Sequence, residues 1–275
     1  MVKRSDLALM IGIVRRCGLA ALACAALLAA CGDDHGGGGD GGDGGGGVGL
    51  GGPGSGSGAG NGAGAGPGGG CDIDGEAHTG EGTYYDADGS GNCSFPATPD
   101  DLMVAAMNDT DYAGSAACGA CAEITGPQGV VTVRIVDRCP ECPQGDVDMS
   151  PQAFELIAPI EAGRVPISWR YVACGLDGPV VYHFKEGSNP FWTAVQIRNH
   201  RYPIARFEWL APDGAYREVA REDYNYFVET SGMGEGPYTF RVTDVLGQVL
   251  EDSGIPFIDS GDAPGAAQLP ACAGP

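Results

Sequence analysis

Residues 134–154 read Arg134-Ile135-Val136-Asp137-Arg138-Cys139-Pro140-Glu141-Cys142-Pro143-Gln144-Gly145-Asp146-Val147-Asp148-Met149-Ser150-Pro151-Gln152-Ala153-Phe154. They hold a strand, a Cys-x-x-Cys loop, several carboxylates and a helix start. Val131, Val133 and Ile135 alternate with Thr132, Arg134 and Val136, the pattern of a largely buried strand that is expected to end at Asp137. Past the cysteine loop, Ser150-Pro151 is an N-cap followed by proline at the first helical position, and Phe154, Leu156 and Ile157 supply an apolar stripe. Asp148 thereby presents a carboxylate at a strand-to-helix junction.

Outward from this stretch, residues 71–174 read as short strands with one clear helix, broken by turns such as Gly126-Pro127-Gln128-Gly129. A strand from Val165 to Cys174, containing Trp169, completes the region. After a short linker, residues 178–258 are repeated strands with no convincing helix: Val180 to Lys185, Trp192 to Arg198, Ile204 to Leu210, Tyr216 to Val219, Tyr238 to Thr243 and Gln248 to Leu250. Asp213-Gly214 and Leu246-Gly247 are turn signals between them, and the whole predicts a β-sandwich. Residues 259–275, rich in Gly, Ala and Pro, are expected to form an extended C-terminal tail.

The chain of 275 residues carries 49 glycines, concentrated before Cys71. Residues 1–31 begin with Lys3, Arg4, Arg15 and Arg16 and continue in an apolar run, Gly18 to Ala30, too short to span a bilayer, which reads as a signal sequence. It ends Leu28-Ala29-Ala30-Cys31, which resembles a bacterial lipobox with Cys31 as the lipidated residue, so the membrane is expected as a partner only through that anchor. An ordinary cleavage site is the alternative. Residues 32–70, mostly glycine, cannot bury a core and are expected to act as a flexible tether with a reach of roughly 35 Å.

Without the signal segment, 11 basic residues face 35 acidic ones, a more acidic balance than the net −21 of the whole chain. Such a field repels polyanions, which argues against nucleic acid and favours a neutral glycan as partner. Cys118-x2-Cys121 and Cys139-x2-Cys142 fit the spacing of a four-thiolate zinc site. Export turns the reading toward disulfides, because eight cysteines remain outside the signal and Cys31, an even number in an oxidising compartment. No metal and no cofactor is expected.

Several motifs taken in order carry a family resemblance. Gly82-Thr83-Tyr84-Tyr85, Met103 to Asn108, Cys118 to Cys121, Val136 to Cys142 and Val147 to Phe154 resemble the first domain of a bacterial expansin. Lys185 to Ser188, Val195 to Pro203 and Asp223 to Val228 resemble its second domain. The resemblance implies an all-β protein, a six-stranded double-psi β-barrel followed by an immunoglobulin-like β-sandwich that serves as a carbohydrate-binding module. It also implies the pairs Cys93 with Cys118 and Cys121 with Cys174, as in plant expansins, leaving Cys139 with Cys142 and Cys71 with Cys272.

On the barrel the resemblance makes Thr83, Tyr84, Asp137, Glu141 and Asp148 a polar groove, with Asp148 placed like the general acid of family-45 endoglucanases. Two neighbouring carboxylates should split their pKa values. Inverting hydrolysis needs a second carboxylate as base. Expansins lack it, yet Asp86 stands where those endoglucanases carry theirs, which keeps hydrolysis by Asp148 with Asp86 or Asp137 open. As a turn residue, Asp86 belongs to the polar loop Asp86 to Gly91; the loop mimics the start of a calcium-binding motif but has Ala97 at the twelfth position. Cys139 occupies a place where the family often has an aromatic residue.

On the second domain, Phe191, Trp192 and Tyr224 match a line of three exposed aromatics, with Phe191 in place of a tryptophan, and Lys185 matches a neighbouring lysine. Phe191 and Trp192 can share a face only where the backbone is irregular, because neighbours on a regular strand point oppositely. Of each local pair, Phe191 or Trp192 and Tyr224 or Tyr226, one ring is otherwise core. His183 and His200 lack metal-ligand spacing and read as structural. The expected function is binding of cellulose or another neutral β-glucan or hemicellulose by a monomer, with non-hydrolytic loosening of wall polysaccharides; the alternatives are a glycan hydrolase or lyase and a non-catalytic adhesion module.

Overall fold

The computed structural model describes residues 73, 75 and 77–271. The signal segment, Cys31, the tether and the pair Cys71 with Cys272 lie outside the described residues. Within them, β1 (His78–Tyr84), β2 (Val104–Asn108), β3 (Cys121–Thr125), β4 (Val130–Cys139), β5 (Val147–Met149) and β6 (Val165–Val172) close a barrel in the order β1-β5-β2-β4-β3-β6. Two of its contacts, β1 with β5 and β2 with β4, are parallel and the others antiparallel. This is the double-psi barrel of the expectation.

Val104, Met107, Ile124, Ile135, Val147 and Met149 fill its interior with Phe154 and Trp169. The Trp169 indole N–H donates to the Gly145 carbonyl at 2.8 Å, so its polar end is satisfied where the ring is buried. Strand β4 runs two residues past its expected end at Asp137, because its pairing with β2 resumes after a bulge and carries on to Asn108 opposite Cys139. The helices are single turns, α1 (Asp109–Tyr112) and α2 (Pro151–Phe154). Ser150 caps α2, its Oγ accepting from the Ala153 N–H at 3.1 Å.

The second domain comprises β7 (Val181–Phe184), β8 (Thr193–Arg198), β9 (Ile204–Leu210), β10 (Tyr216–Glu218), β11 (Ala220–Arg221), β12 (Phe227–Glu229), β13 (Tyr238–Asp244), β14 (Val249–Ile255) and β15 (Asp262–Pro264). They form two sheets, β10-β9-β13-β14 and β11-β12-β8-β7-β15. Phe184, Phe207 and Phe240 are buried between them, with the rings of Phe207 and Phe240 4.9 Å apart. The expectation of a tail beyond Phe257 is corrected: Asp262, Ala263 and Pro264 pair with β7, and Ala263 and Leu269 are fully buried. The added strand covers the polar edge that β7 would otherwise expose. Strands β11 and β12 were likewise absent from the sequence reading.

Side chains of the sandwich hold the barrel directly. Gln196 Nε2 and Asn225 Nδ2 both donate to the Cys93 carbonyl, at 2.8 and 3.2 Å. Ser115 Oγ donates to the Glu222 carbonyl at 2.7 Å, and Arg221 returns a bond to the Ser115 carbonyl at 3.1 Å.

Candidate functional site

Thr83, Asp148, Ala106 and Asp137 are successive register partners across β1, β5, β2 and β4. Partners directly opposite in a sheet share a face. Ala106 contributes only a methyl group between the two carboxylates, leaving a trough whose flanking backbones are two strand spacings, roughly 10 Å, apart.

Thr83 Oγ1 donates to Asp148 Oδ1 at 2.5 Å. Burial raises the Asp148 pKa from its ordinary value; the Thr83 bond opposes this, the charge of Glu141 adds to it, Arg164 lowers it, and Asp137 raises it again. Asp137 is held differently. Its Oδ1 accepts the backbone N–H groups of Asn92 at 2.6 Å and Arg138 at 2.8 Å. Any side chain at Gly91 would meet the Asp137 carboxyl carbon at 2.3 Å, so glycine there lets the loop lie on the carboxylate.

Beside these groups stands Tyr85, whose pairing continues β1 through its N–H to the Met149 carbonyl. Its hydroxyl is buried next to Asp137 without the geometry of a completed hydrogen bond. Burial, then Asp137 and Asp148, raise its pKa, so it keeps a proton to donate. Tyr84 instead rests its ring 5.1 Å from that of Phe154. Glu141 is exposed in the Cys139–Cys142 loop, and Asp86 is exposed in the loop after β1.

On the sandwich, Asn189 to Trp192 form a tight reverse turn, with mutual backbone bonds between Asn189 and Trp192 of 2.8 and 3.1 Å and Pro190-Phe191 at its tip. Phe191 is 81% exposed. Trp192 and Tyr224 are half-buried, packed on Ala194, Tyr226 and Val228 in a cluster separate from the sandwich core. The Tyr226 ring lies 5.9 Å from that of Tyr224 and under the Lys185 Nζ, 5.2 Å away. Tyr226 is therefore the buried ring of its pair with Tyr224, and it supports the surface layer from a cluster apart from the main sandwich core.

One residue joins the two regions. While the Asn92 N–H holds Asp137, its Nδ2 donates to the carbonyl of Asp223, the residue before Tyr224, at 2.9 Å. The Tyr112 hydroxyl donates to the same carbonyl at 2.8 Å.

Comparison with known proteins matches this geometry. The chain is 36% identical over 205 residues to Expansin-YoaJ of Bacillus subtilis, covering 71% of this chain and 88% of that one. The chain belongs to the expansin family. The crystal structure of the apo expansin of Clavibacter michiganensis is 34% identical with a TM-score of 0.66, covering 70% of this chain and 98% of that one. A mutant of the same expansin, solved in complex with cellohexaose, is 33% identical over the same shares with the same TM-score. A family model described as lytic transglycolase matches residues 104–169, the centre of the barrel.

In this expansin the barrel brings Thr83, Asp148 and Asp137 to one level, with Tyr85 and Asn92 beside them. Neither Tyr85 nor Asn92 was singled out from the sequence. The signal for Tyr85 was the two-residue period, which places it on the face of Thr83 and turns Tyr84 away. Asn92 offered none, because its role depends on a contact across 131 residues. Among the described residues the disulfides are Cys93–Cys118, Cys121–Cys174 and Cys139–Cys142, so the four cysteines of the zinc spacing are all bridged.

Proposed function

We propose that this expansin binds cellulose or a related neutral β-glucan or hemicellulose along Phe191, Trp192 and Tyr224 and the groove of Thr83, Asp148 and Asp137, and loosens wall polysaccharides without hydrolysis. The observation that carries the reading is Asn92, which ties the groove carboxylate to the residue preceding Tyr224. Flat rings suit the apolar faces of a glucan. A related expansin has been solved with cellohexaose, and expansins are generally regarded as non-enzymatic. In the groove, the Asp148 carboxyl and the Tyr85 hydroxyl can each exchange hydrogen bonds with sugar hydroxyls, replacing hydrogen bonds between neighbouring glucan chains. Hydrolysis would need a free base; one Asp137 oxygen is occupied by two backbone donors, and Asp86 is exposed in a separate loop.

The raised Asp148 pKa and the lytic family model favour a second reading, a hydrolase or lytic enzyme using Asp148. A creep assay on wall material paired with a reducing-sugar assay separates the two. Creep without sugar release is expected, lost in Asp148→Asn, while Trp192→Ala weakens pull-down on crystalline cellulose about tenfold or more. Sugar release abolished by Asp148→Asn or Asp86→Asn would replace this reading with the enzymatic one, and binding with neither effect would leave an adhesion module.

The disulfides support export, and Leu28-Ala29-Ala30-Cys31 supports anchoring of a monomer to the bacterial envelope through lipid on Cys31. Labelled palmitate should be incorporated by the native chain and not by Cys31→Ala.

A further inference from the structure

We infer that the cleft between barrel and sandwich binds the carboxylate of a single sugar-acid unit, held by Arg134 and Arg198. The cleft has a volume of about 280 Å³ and is lined by Phe95 and Arg134 from the barrel, Leu176 from the linker, and Arg198, His200 and Asp262 from the sandwich. That is the small end of ligand pockets, which favours one ring over a chain, and clefts between domains are common binding places.

Arg134 is the deciding residue. Its guanidinium lies over the Phe95 ring, 5.4 Å from the centroid, and among the described residues it has no hydrogen bond or ion pair; Asp101 acts on it only from beyond ion-pair distance. Burial lowers its pKa, the sign of a charge stripped of water without a close counter-charge. Its planar fork is free to take a carboxylate by two parallel bonds.

The charge balance of the cleft sets the ligand's charge. Asp262 Oδ1 is shared by Arg198 Nη1 at 3.2 Å and His183 Nδ1 at 2.6 Å. The His200 pKa is pushed down to about 4, so this ring is neutral near pH 7. Among the residues lining the cleft, two guanidiniums face one carboxylate, with Asp101 outside it, so the lining itself carries one positive charge to match one monoanion. A polyuronate would meet the field of a strongly acidic chain with many charges, whereas one acidic unit meets it with a single charge. The site does not depend on the glucan-binding reading.

The test is calorimetric titration of the mature protein with sodium glucuronate, glucose and inorganic phosphate. Glucuronate is expected to bind and glucose, which lacks the carboxylate, is not. Arg134→Gln should weaken glucuronate at least about tenfold, and Arg134→Lys should recover part of the loss, both with native thermal melting and unchanged cellulose pull-down. Should either variant fail to fold, a glucuronate-dependent shift of the Arg134 Nε–H resonance in the native protein supports the site and its absence overturns it. No glucuronate binding, binding indifferent to Arg134, or phosphate bound more tightly than glucuronate would overturn the assignment.

Discussion

His200 illustrates what one buried side chain imposes. Burial lowers its pKa to about 4, the charges of Arg221 and Arg134 add to this, and the bond from Nδ1 to the Tyr202 carbonyl opposes it. The unfolded chain binds a proton at this ring near pH 6.5 and the folded chain does not until about pH 4. Stability is therefore full above the unfolded pKa, falls as pH drops from about 6.5 to about 4, and levels below, for a total on the order of 3 kcal/mol. His200→Asn, which can still donate to the Tyr202 carbonyl, should flatten that slope in urea unfolding across the same interval; an unchanged slope would place the titration elsewhere. Asp148 runs the other way, its raised pKa costing stability as pH rises and it ionises. The sequence marked Asp148 and Thr83 by motif. It could read His200 only as structural, because the surfaces that bury it come from both domains.

At the scale of elements, the turn from Asn189 to Trp192 breaks the strand alternation between Phe191 and Trp192, which the proposed shared binding surface requires. Phe191 stands at the tip while Trp192 enters β8, and the Phe191 N–H is fixed by Asn189 Oδ1 at 2.9 Å. Gly232 backs this turn with a φ of +75°, and a Cβ there would lie 2.1 Å from the Pro190 carbonyl oxygen and 2.5 Å from Phe191 Cα. Gly232→Ala should cost about 1–3 kcal/mol by chemical denaturation and weaken cellulose pull-down by displacing Phe191. Native stability with native binding would show the turn to be adaptable. Pro190 announced the irregularity in the sequence. Strand β15 gave no such notice, for Asp262-Ala263-Pro264 is a strand only through its pairing with β7.

Across the whole molecule, the track proposed from groove to rings requires that the domains be held together. Asn92→Ala removes the side-chain bonds to the Asp223 carbonyl and the Tyr112 hydroxyl while leaving the backbone bond to Asp137 possible. A stability loss of about 1–2 kcal/mol is expected, with cellulose pull-down near native, lower creep activity, and a broader range of domain orientations by small-angle scattering. Native creep would show that the tie is dispensable. The sequence by itself determined the two β domains, the groove carboxylates and the candidate rings, because strand period, caps and ordered motifs are local properties. Tertiary structure alone decided that Tyr85 joins the carboxylates, that Tyr226 supports the rings, that β15 completes a sheet and that Asn92 links the two surfaces. Each of these depends on hydrogen bonds or ring contacts between segments that only folding brings together.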